Sequence, residues 1–313
     1  MSQEFPSPAH QRPSTAADAQ VPLEFTTPLG TRMIATDLDG TVVPHGRPMS
    51  PRTVNALRSA EEAGLRVVFV TGRPPRWLHP VVEATSHAGY AICANGAITL
   101  DLATDSVVAL RSIATETILE VAERLRSAVP DVVFAVETPE SFRVEDGYED
   151  MRGARTAEGG EPQELVRRPR ASTRHLPDLL DDEPVIKLVA ISASSTPDAL
   201  LTAGRRHLAG LVTATHSSIG TALLEMSPLG TTKATGLTEL AASLALDPRT
   251  VIAFGDMPND IEMLRWAGTG YAMSGGHPDA LAAADHVAPP AELDGVAQVL
   301  EAVLARDAAR LRP

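Results

Sequence analysis

The sequence predicts an α/β protein: a parallel sheet interrupted by an inserted α+β unit. Three observations carry that reading. Short apolar runs alternate with helix-length stretches near both ends of the chain, the order expected of βαβ units and a parallel sheet. Four of those runs end in small polar turns, Asp37-Leu38-Asp39-Gly40-Thr41, Thr71-Gly72-Arg73, Asn95-Gly96 and Gly255-Asp256. After Gly96 the alternation gives way to a mixed block, and it resumes near Thr232.

Residues 1–28 are rich in Pro, Ser, Thr, Ala and Gln and read as a disordered tail. Residues 32–36 read as a strand. A helix over 50–63 follows, with Ser50 as N-cap, Pro51 at the first helical position and Gly64 as the stop. Residues 65–70 and 90–94 are apolar strands without strict alternation, as expected where helices cover both faces. In the mixed block, 98–101 and 106–113 read as a hairpin, 115–128 as a helix ended by Pro130, and 132–136 and 142–144 as strands. Residues 150–184 read as a long polar loop with a short helix over 176–181. A strand over 185–191, a helix over 196–208 and strands over 211–215 and 222–226 complete the block. The parallel pattern then resumes with a helix over 232–246, a strand over 251–254, a helix over 261–267, short strands over 270–273 and 286–287, and a helix over 296–304. The expected division is a core formed by 29–98 and 228–313 with an inserted unit over 99–227.

Bulk properties narrow the function. At 313 residues the chain can bury a sizeable core. Its net charge of −13 argues against a general nucleic-acid binder. The only cysteine, Cys93, lies in an apolar run and reads as a buried hydrophobe. No run approaches the ~20 apolar residues of a membrane span, and the first residues lack a signal pattern. The expectation is a cytoplasmic protein with neither membrane nor nucleic-acid partners.

Asp37 and Asp39 sit at the C-terminal end of the first strand, where open α/β sheets build their sites. Crowded carboxylates repel unless a cation or a shared proton relieves them, and Mg²⁺ suits an oxygen-only ligand set. Leu38 between them faces the other way in an extended chain, so both acids share one side. Gly40 permits a sharp turn and Thr41 can hydrogen-bond within it. Lys233 stands in the first turn of a helix, unfavourable for a cation beside the positive helix end, which favours a functional explanation.

Taken together, Asp37-Leu38-Asp39-Gly40-Thr41, Thr71-Gly72-Arg73, Lys233 and Gly255-Asp256-Met257-Pro258-Asn259-Asp260 resemble the four signature motifs of the haloacid dehalogenase-like (HAD) hydrolases. The insertion after the third strand resembles the type-IIB cap of the Cof-like phosphatases. That resemblance runs from about residue 31 to 304. It implies a Rossmann-like parallel core with an inserted α+β cap domain and a Mg²⁺-dependent phosphatase acting on small phosphorylated metabolites such as sugar phosphates. Asp37 is then the nucleophile that forms an aspartyl-phosphate, and Asp39 the acid that protonates the leaving alcohol and the base that activates water. Thr71 and Lys233 stabilise the transferring group. Asp37, the backbone carbonyl of Asp39 and Asp256 hold Mg²⁺, with Asp260 either a direct ligand or one step removed. Gly40, Thr41, Gly72, Arg73, Asn95, Gly96 and Asn259 are the expected substrate contacts.

Several positions keep two readings. Arg73 meets substrate or pairs with a surface acid. Asn95-Gly96 lines the site or serves as a backbone turn. Lys187, which interrupts an apolar strand, faces the site or reaches water. Glu225 reads as structural. Arg143, Arg167, Arg168 and Arg170 are either solvated or placed to meet an anionic leaving group. His45, His79, His216 and His277 lack metal-ligand spacing and read as surface or loop residues. The alternative functions are a phosphomutase of the same fold and an Asp-phosphorylated signalling module. The second Asp and the large insertion argue against the latter. Oligomeric state and substrate are not specified by the sequence.

Overall fold

In the computed structural model, residues 30–156, 171–173, 175–218 and 220–310 are described. The expected tail and Arg167, Arg168 and Arg170 lie outside the described residues. The chain begins with β1 (Met33–Thr36), α1 (Pro51–Glu62), β2 (Arg66–Val70), α2 (His79–Thr85), β3 (Tyr90–Cys93), β4 (Ile98–Asp101) and β5 (Ser106–Leu110). It continues with α3 (Thr115–Ala128), β6 (Val133–Glu137), β7 (Phe142–Glu145), α4 (Tyr148–Thr156), β8 (Ala171–Thr173), β9 (Lys187–Ile191), α5 (Pro197–His207), β10 (Val212–Thr215) and β11 (Leu223–Pro228). The last stretch holds α6 (Lys233–Ser243), β12 (Val251–Gly255), α7 (Ile261–Trp266), β13 (Thr269–Met273), α8 (Pro278–Ala283), β14 (His286–Ala288) and α9 (Gly295–Arg310).

Among the described residues the first sheet has the order β14-β13-β12-β1-β2-β3-β4-β5. It is parallel from β14 to β3. Every residue of β1 and β12 is buried, as central strands covered on both faces require. One face packs on Ala56, Leu57 and Ala60 of α1 and Val296, Val299, Leu300 and Val303 of α9. The other packs on Leu237 and Leu240 of α6 and Met263 and Leu264 of α7. Helix α1 starts as its sequence suggests, with the Ser50 hydroxyl accepting from the Thr53 N–H at 3.1 Å and Pro51 in the first turn.

The second sheet runs β10-β11-β9-β6-β7-β8, mostly antiparallel, with α3 and α5 over one face. Its own core includes Ile118, Val121, Leu125, Phe134, Leu188, Leu200 and Leu224. The fold is thus a parallel-dominated Rossmann-like core with an inserted α+β unit. The hairpin expected inside the insertion belongs instead to the first sheet: Cys93 pairs with Ile98 and β4 pairs antiparallel with both β3 and β5. The physical cause is the reversal at 94–96, where Ala94 (φ 49°), Asn95 (φ 56°) and Gly96 (φ 102°) all take left-handed backbone conformations. The chain turns back at once and keeps pairing. We therefore place the start of the inserted unit after Leu110 rather than at 99, and its end at Pro228.

Within 150–184, where a loop was expected, α4 and β8 form. Tyr148 anchors α4, buried edge-on against Phe142 at 5.7 Å between ring centroids, a tertiary contact that a polar local sequence does not announce. Helices α2 and α8 were not expected either. Both are short and carry Pro in the first turn.

Candidate active site

Strands β1 and β12 are neighbours, and the Asp37 N–H donates to the Phe254 carbonyl at 2.9 Å. The two strands therefore deliver Asp37 and Asp256 side by side at the C-terminal rim. Strand β2, on the other flank of β1, delivers Thr71, whose N–H is held by the Ile92 carbonyl at 2.8 Å. Helix α6 opens with a capping box between Thr232 and Thr235, which fixes Lys233 as its first residue. The Lys233 ammonium is fully buried and donates to Asp37 Oδ1 at 2.6 Å and Asp260 Oδ1 at 2.7 Å. Asp260 Oδ2 accepts the N–H groups of Asp256 and Met257, each at 3.0 Å, and so pins the turn after β12. Thr41 Oγ1 donates to Asp256 Oδ1 at 3.2 Å.

Asp37, Asp256 and Asp260 each present a carboxylate oxygen within 4.8 Å of the others. Three buried acids against one ammonium leave an excess of negative charge. Burial pushes the Asp37 carboxyl up to about 7, with Asp260 and Asp39 adding to the rise and Lys233 opposing it. Burial, then Asp37 and Asp260, raise Asp256 well above its usual range. Burial opposes the Lys233 charge, but Asp260 and Asp37 outweigh it and hold the ammonium charged. The missing counter-charge and the oxygen-only donors suit a hard divalent cation such as Mg²⁺. Both Asp260 oxygens are already engaged, whereas Asp37 Oδ2 and Asp256 Oδ2 have no donor among the described residues. Asp37 and Asp256 are thus better placed to bind an ion directly than Asp260. Asn259 Oδ1 is also buried without a hydrogen-bond partner among the described residues.

This crowding makes metal-free stability pH-dependent. A carboxyl whose folded pKa is about 7, against an ordinary value of 3.8, binds more protons folded than unfolded across that interval. Stability then falls as pH rises from about 4 to 7 and levels off above. With chelator present, Tm is expected to drop across that window, and added Mg²⁺ should raise Tm more at pH 7.5 than at pH 5. Differential scanning fluorimetry at the two pH values checks it. An equal Mg²⁺ effect at both would contradict the crowding.

The Asp39 side chain lies outside the group formed by Asp37, Asp256 and Asp260. The half-exposed Asp39 carboxylate turns to Arg73, taking Nε–H at 2.8 Å and a second, very short bond from the other guanidinium nitrogen. Arg73 therefore meets an acid at the mouth of the site, and its own N–H is fixed by Thr71 Oγ1 at 3.0 Å. Gly40 has a closer role than a turn: at φ 77° it lies where a Cβ would overlap the Asp256 carboxylate. Gly96 has a packing constraint of its own, since a Cβ there would overlap the Thr232 carbonyl at the start of α6.

Asn95 and Asn259 do come together, with Asn259 Nδ2 donating to Asn95 Oδ1 at 3.0 Å. Asn95 Nδ2 donates to Glu225 Oε2 at 2.6 Å. That carboxylate oxygen also takes the Lys187 ammonium at 3.2 Å, and Lys187 donates to the Gly72 carbonyl at 2.9 Å. Burial works against the Glu225 charge, but Lys187 and hydrogen bonds from Ser217, Asn95 and Lys187 more than compensate and hold its carboxyl below the usual range. Glu225 and Lys187 thus join the inserted unit to the rim of the core. Glu225 was read as structural because it ends an apolar strand; a charge in such a strand was the available signal. A second crossing pairs Arg76 with the buried Glu137 and with the Thr138 carbonyl at 3.0 Å. Arg143 instead serves the inserted unit, with Asp181 at 2.7 Å, Glu183 at 2.8 Å and the Leu179 carbonyl at 2.9 Å.

A parallel sheet with an acid–ammonium centre at its C-terminal rim, roofed by an inserted α+β unit, defines a capped Rossmann-like enzyme core. The chain belongs to the haloacid dehalogenase-like hydrolases, whose profile matches residues 34–300. It is 27% identical to the pyridoxal phosphate phosphatase YbhA of Escherichia coli K12, over 86% of this chain and 97% of that one. It is 29% identical to the HMP-PP phosphatase of Serratia proteamaculans, over 79% of this chain and 85% of that one. The solved HAD subclass IIB sugar phosphatase BT4131 superposes with a TM-score of 0.72 at 20% identity, covering 87% of this chain and 99% of that one, and shows the shared fold. No helix among the described residues is long and apolar enough to cross a membrane.

Proposed function

We propose that this hydrolase is a Mg²⁺-dependent phosphatase of small phosphorylated metabolites working through an aspartyl-phosphate on Asp37. The observation that carries the proposal is the buried Asp37–Lys233–Asp260 arrangement beside Asp256. It holds one carboxylate rigidly at a strand end, next to a fixed positive charge and an acid pair in need of a cation. When bound between Asp37 and Asp256, Mg²⁺ would neutralise the carboxylates and the phosphoryl oxygens together.

In the first step an Asp37 carboxylate oxygen bonds to phosphorus as the bond from phosphorus to the ester oxygen breaks. Asp39, carrying a proton, gives it to the departing alkoxide. In the second step Asp39 removes a proton from water, the new hydroxide attacks phosphorus, and the Asp37–phosphorus bond breaks to free phosphate. Asp39 is suited to a moving role because it is half-exposed and held by one partner, Arg73, rather than locked in the buried centre. Thr71, with Oγ1 fixed at the rim, and Lys233 balance charge on the phosphoryl oxygens. The inserted unit, with Lys187, Glu225 and Glu137 at its crossing points, would exclude water during transfer and select the substrate.

Two relatives are named for phosphates of pyridoxal and HMP. The test is therefore a panel of sugar phosphates, polyol phosphates, nucleotides, flavin precursors and pyridoxal phosphate, read as free phosphate with and without Mg²⁺. Chelator-resistant release, or an isomeric sugar phosphate in place of free phosphate, would overturn the reading.

A further inference from the structure

Asp198, His216 and His277 converge at a second place where the inserted unit meets the core. Asp198 lies in the first turn of α5 and His216 follows β10, both in the inserted unit, whereas His277 caps α8 in the core. The three present ligand atoms within 4.8 Å of one another. His216 Nε2 is 3.0 Å from Asp198 Oδ1 and His277 Nε2 is 3.1 Å from the same oxygen. The rings stand edge to face, 5.6 Å between centroids. Sequence alone does not reveal this: the residues are far apart along the chain, and His216, expected at the surface, is buried.

We propose that Asp198, His216 and His277 form a binding site for a borderline-soft divalent ion of the zinc class, which clasps the inserted unit to the core. Ligand type separates this site from the acid centre: two imidazoles and one carboxylate select zinc-class ions, whereas an all-carboxylate set selects Mg²⁺. Spacing agrees as well. Bonds of about 2.0–2.1 Å around a tetrahedral ion put neighbouring ligand atoms about 3.3 Å apart, within a few tenths of an ångström of the two nitrogen–oxygen separations, 3.0 and 3.1 Å. Asp198 is largely exposed, which leaves an entry path and room for a water ligand.

Without metal, each Nε2–H donates to Asp198 Oδ1, while His277 Nδ1 accepts from the Asp279 N–H at 3.1 Å. An ion bound at both Nε2 atoms requires each neutral imidazole to carry its proton on Nδ1. At His277 that ends acceptance from Asp279. At His216 it puts an N–H on a buried nitrogen that has no partner among the described residues. Ligating histidines normally have an acceptor behind them. Its absence at His216 weakens the hold on the ion and suits an exchangeable ion better than a structural one. The regulated step follows from position. The His277 N–H donates to the Asp256 carbonyl at 2.7 Å, so the clasp joins the inserted unit directly to the loop carrying Asp256. An ion that holds the units together slows any cycle in which they must part to release product.

The test titrates the full chain, in excess Mg²⁺, with Co²⁺ and then Zn²⁺. The expected result is one equivalent of Co²⁺ with the visible absorption of a nitrogen–oxygen tetrahedral site, displaced by Zn²⁺. His277→Asn keeps a cap acceptor for α8 but lacks the imidazole, and should weaken binding at least about tenfold. Asp198→Asn, at an exposed position, should do the same, and Asp256→Asn should leave binding unchanged. Wild-type protein that takes up no Co²⁺, a His277→Asn variant that binds like wild type, or loss of binding with Asp256→Asn would each overturn the site. The binding readout needs no catalysis, so its failure is distinct from failure of the phosphatase reading. With a turned-over phosphate ester in hand, Zn²⁺ should inhibit wild type and require about tenfold more ion in His277→Asn. Turnover untouched by bound Zn²⁺ would overturn the clasp.

Discussion

Asp37→Asn is expected to lower the rate of phosphate release by about a thousandfold or more while leaving the protein folded. An amide oxygen is too weak a nucleophile to form the acyl-phosphate bond, and loss of a covalent nucleophile typically costs several orders of magnitude. Stability should not suffer, because Asp37 is a crowded acid, pushed up to about 7 by burial and neighbouring carboxylates. The amide retains an oxygen for the Lys233 ammonium, which donates to Asp37 Oδ1 at 2.6 Å, and it removes one negative charge from the cluster. The metal-free variant should therefore melt at or above the wild-type temperature at neutral pH. Steady-state phosphate release and thermal melts on the same preparation check both halves. Wild-type turnover by Asp37→Asn would remove the nucleophile assignment. An inactive variant that is also unfolded would remove the argument that the site is strained by like charge.

The parts of this protein legible in sequence are those where local chemistry and position coincide. Apolar runs ending in Asp37, Thr71 and Asp256 were readable because buried parallel strands lack alternation and terminate at the sheet's working edge. Lys233 was readable because a cation in a first helical turn opposes the helix dipole, and its burial between Asp37 and Asp260 supplies the reason. Asp39 was readable as an acid at the end of a strand, but its contact was not. Its partner Arg73 lies 34 positions away, and nothing local marks the pair. The hairpin at 98–110 was assigned to the wrong sheet for a similar reason. Hydrophobic pattern shows that a strand exists but not which strand it joins, and the deciding feature was a left-handed reversal at 94–96. Glu225, Lys187, Arg76 and Glu137 meet only across the two units. Contacts of that kind come from how two separately packed cores dock, a property no single segment encodes.

Lys233→Met carries the second large effect, on stability as well as turnover. The ammonium is fully buried and bonded to Asp37 and Asp260. Met matches its length but leaves two buried carboxylates facing each other with no positive partner. Removing one member of a buried ionic group typically costs about 3–5 kcal/mol, a fall in Tm on the order of 10 °C for a chain of this size. The size of that penalty comes from stranded charge rather than lost packing, and a second substitution separates the two. Asp260→Asn removes one of the stranded charges while keeping an oxygen for the Asp256 and Met257 N–H groups, which Asp260 Oδ2 accepts at 3.0 Å each. The double variant Lys233→Met/Asp260→Asn should therefore recover more than half of the lost stability. It should regain no phosphate release, because the charge that balances the transferring group is still absent. A double-mutant cycle in urea, paired with turnover on the same four proteins, reads both quantities. Additive destabilisation in the cycle would show that Lys233 supports the fold by packing alone. Recovery of turnover with stability would show that it takes no part in phosphoryl transfer.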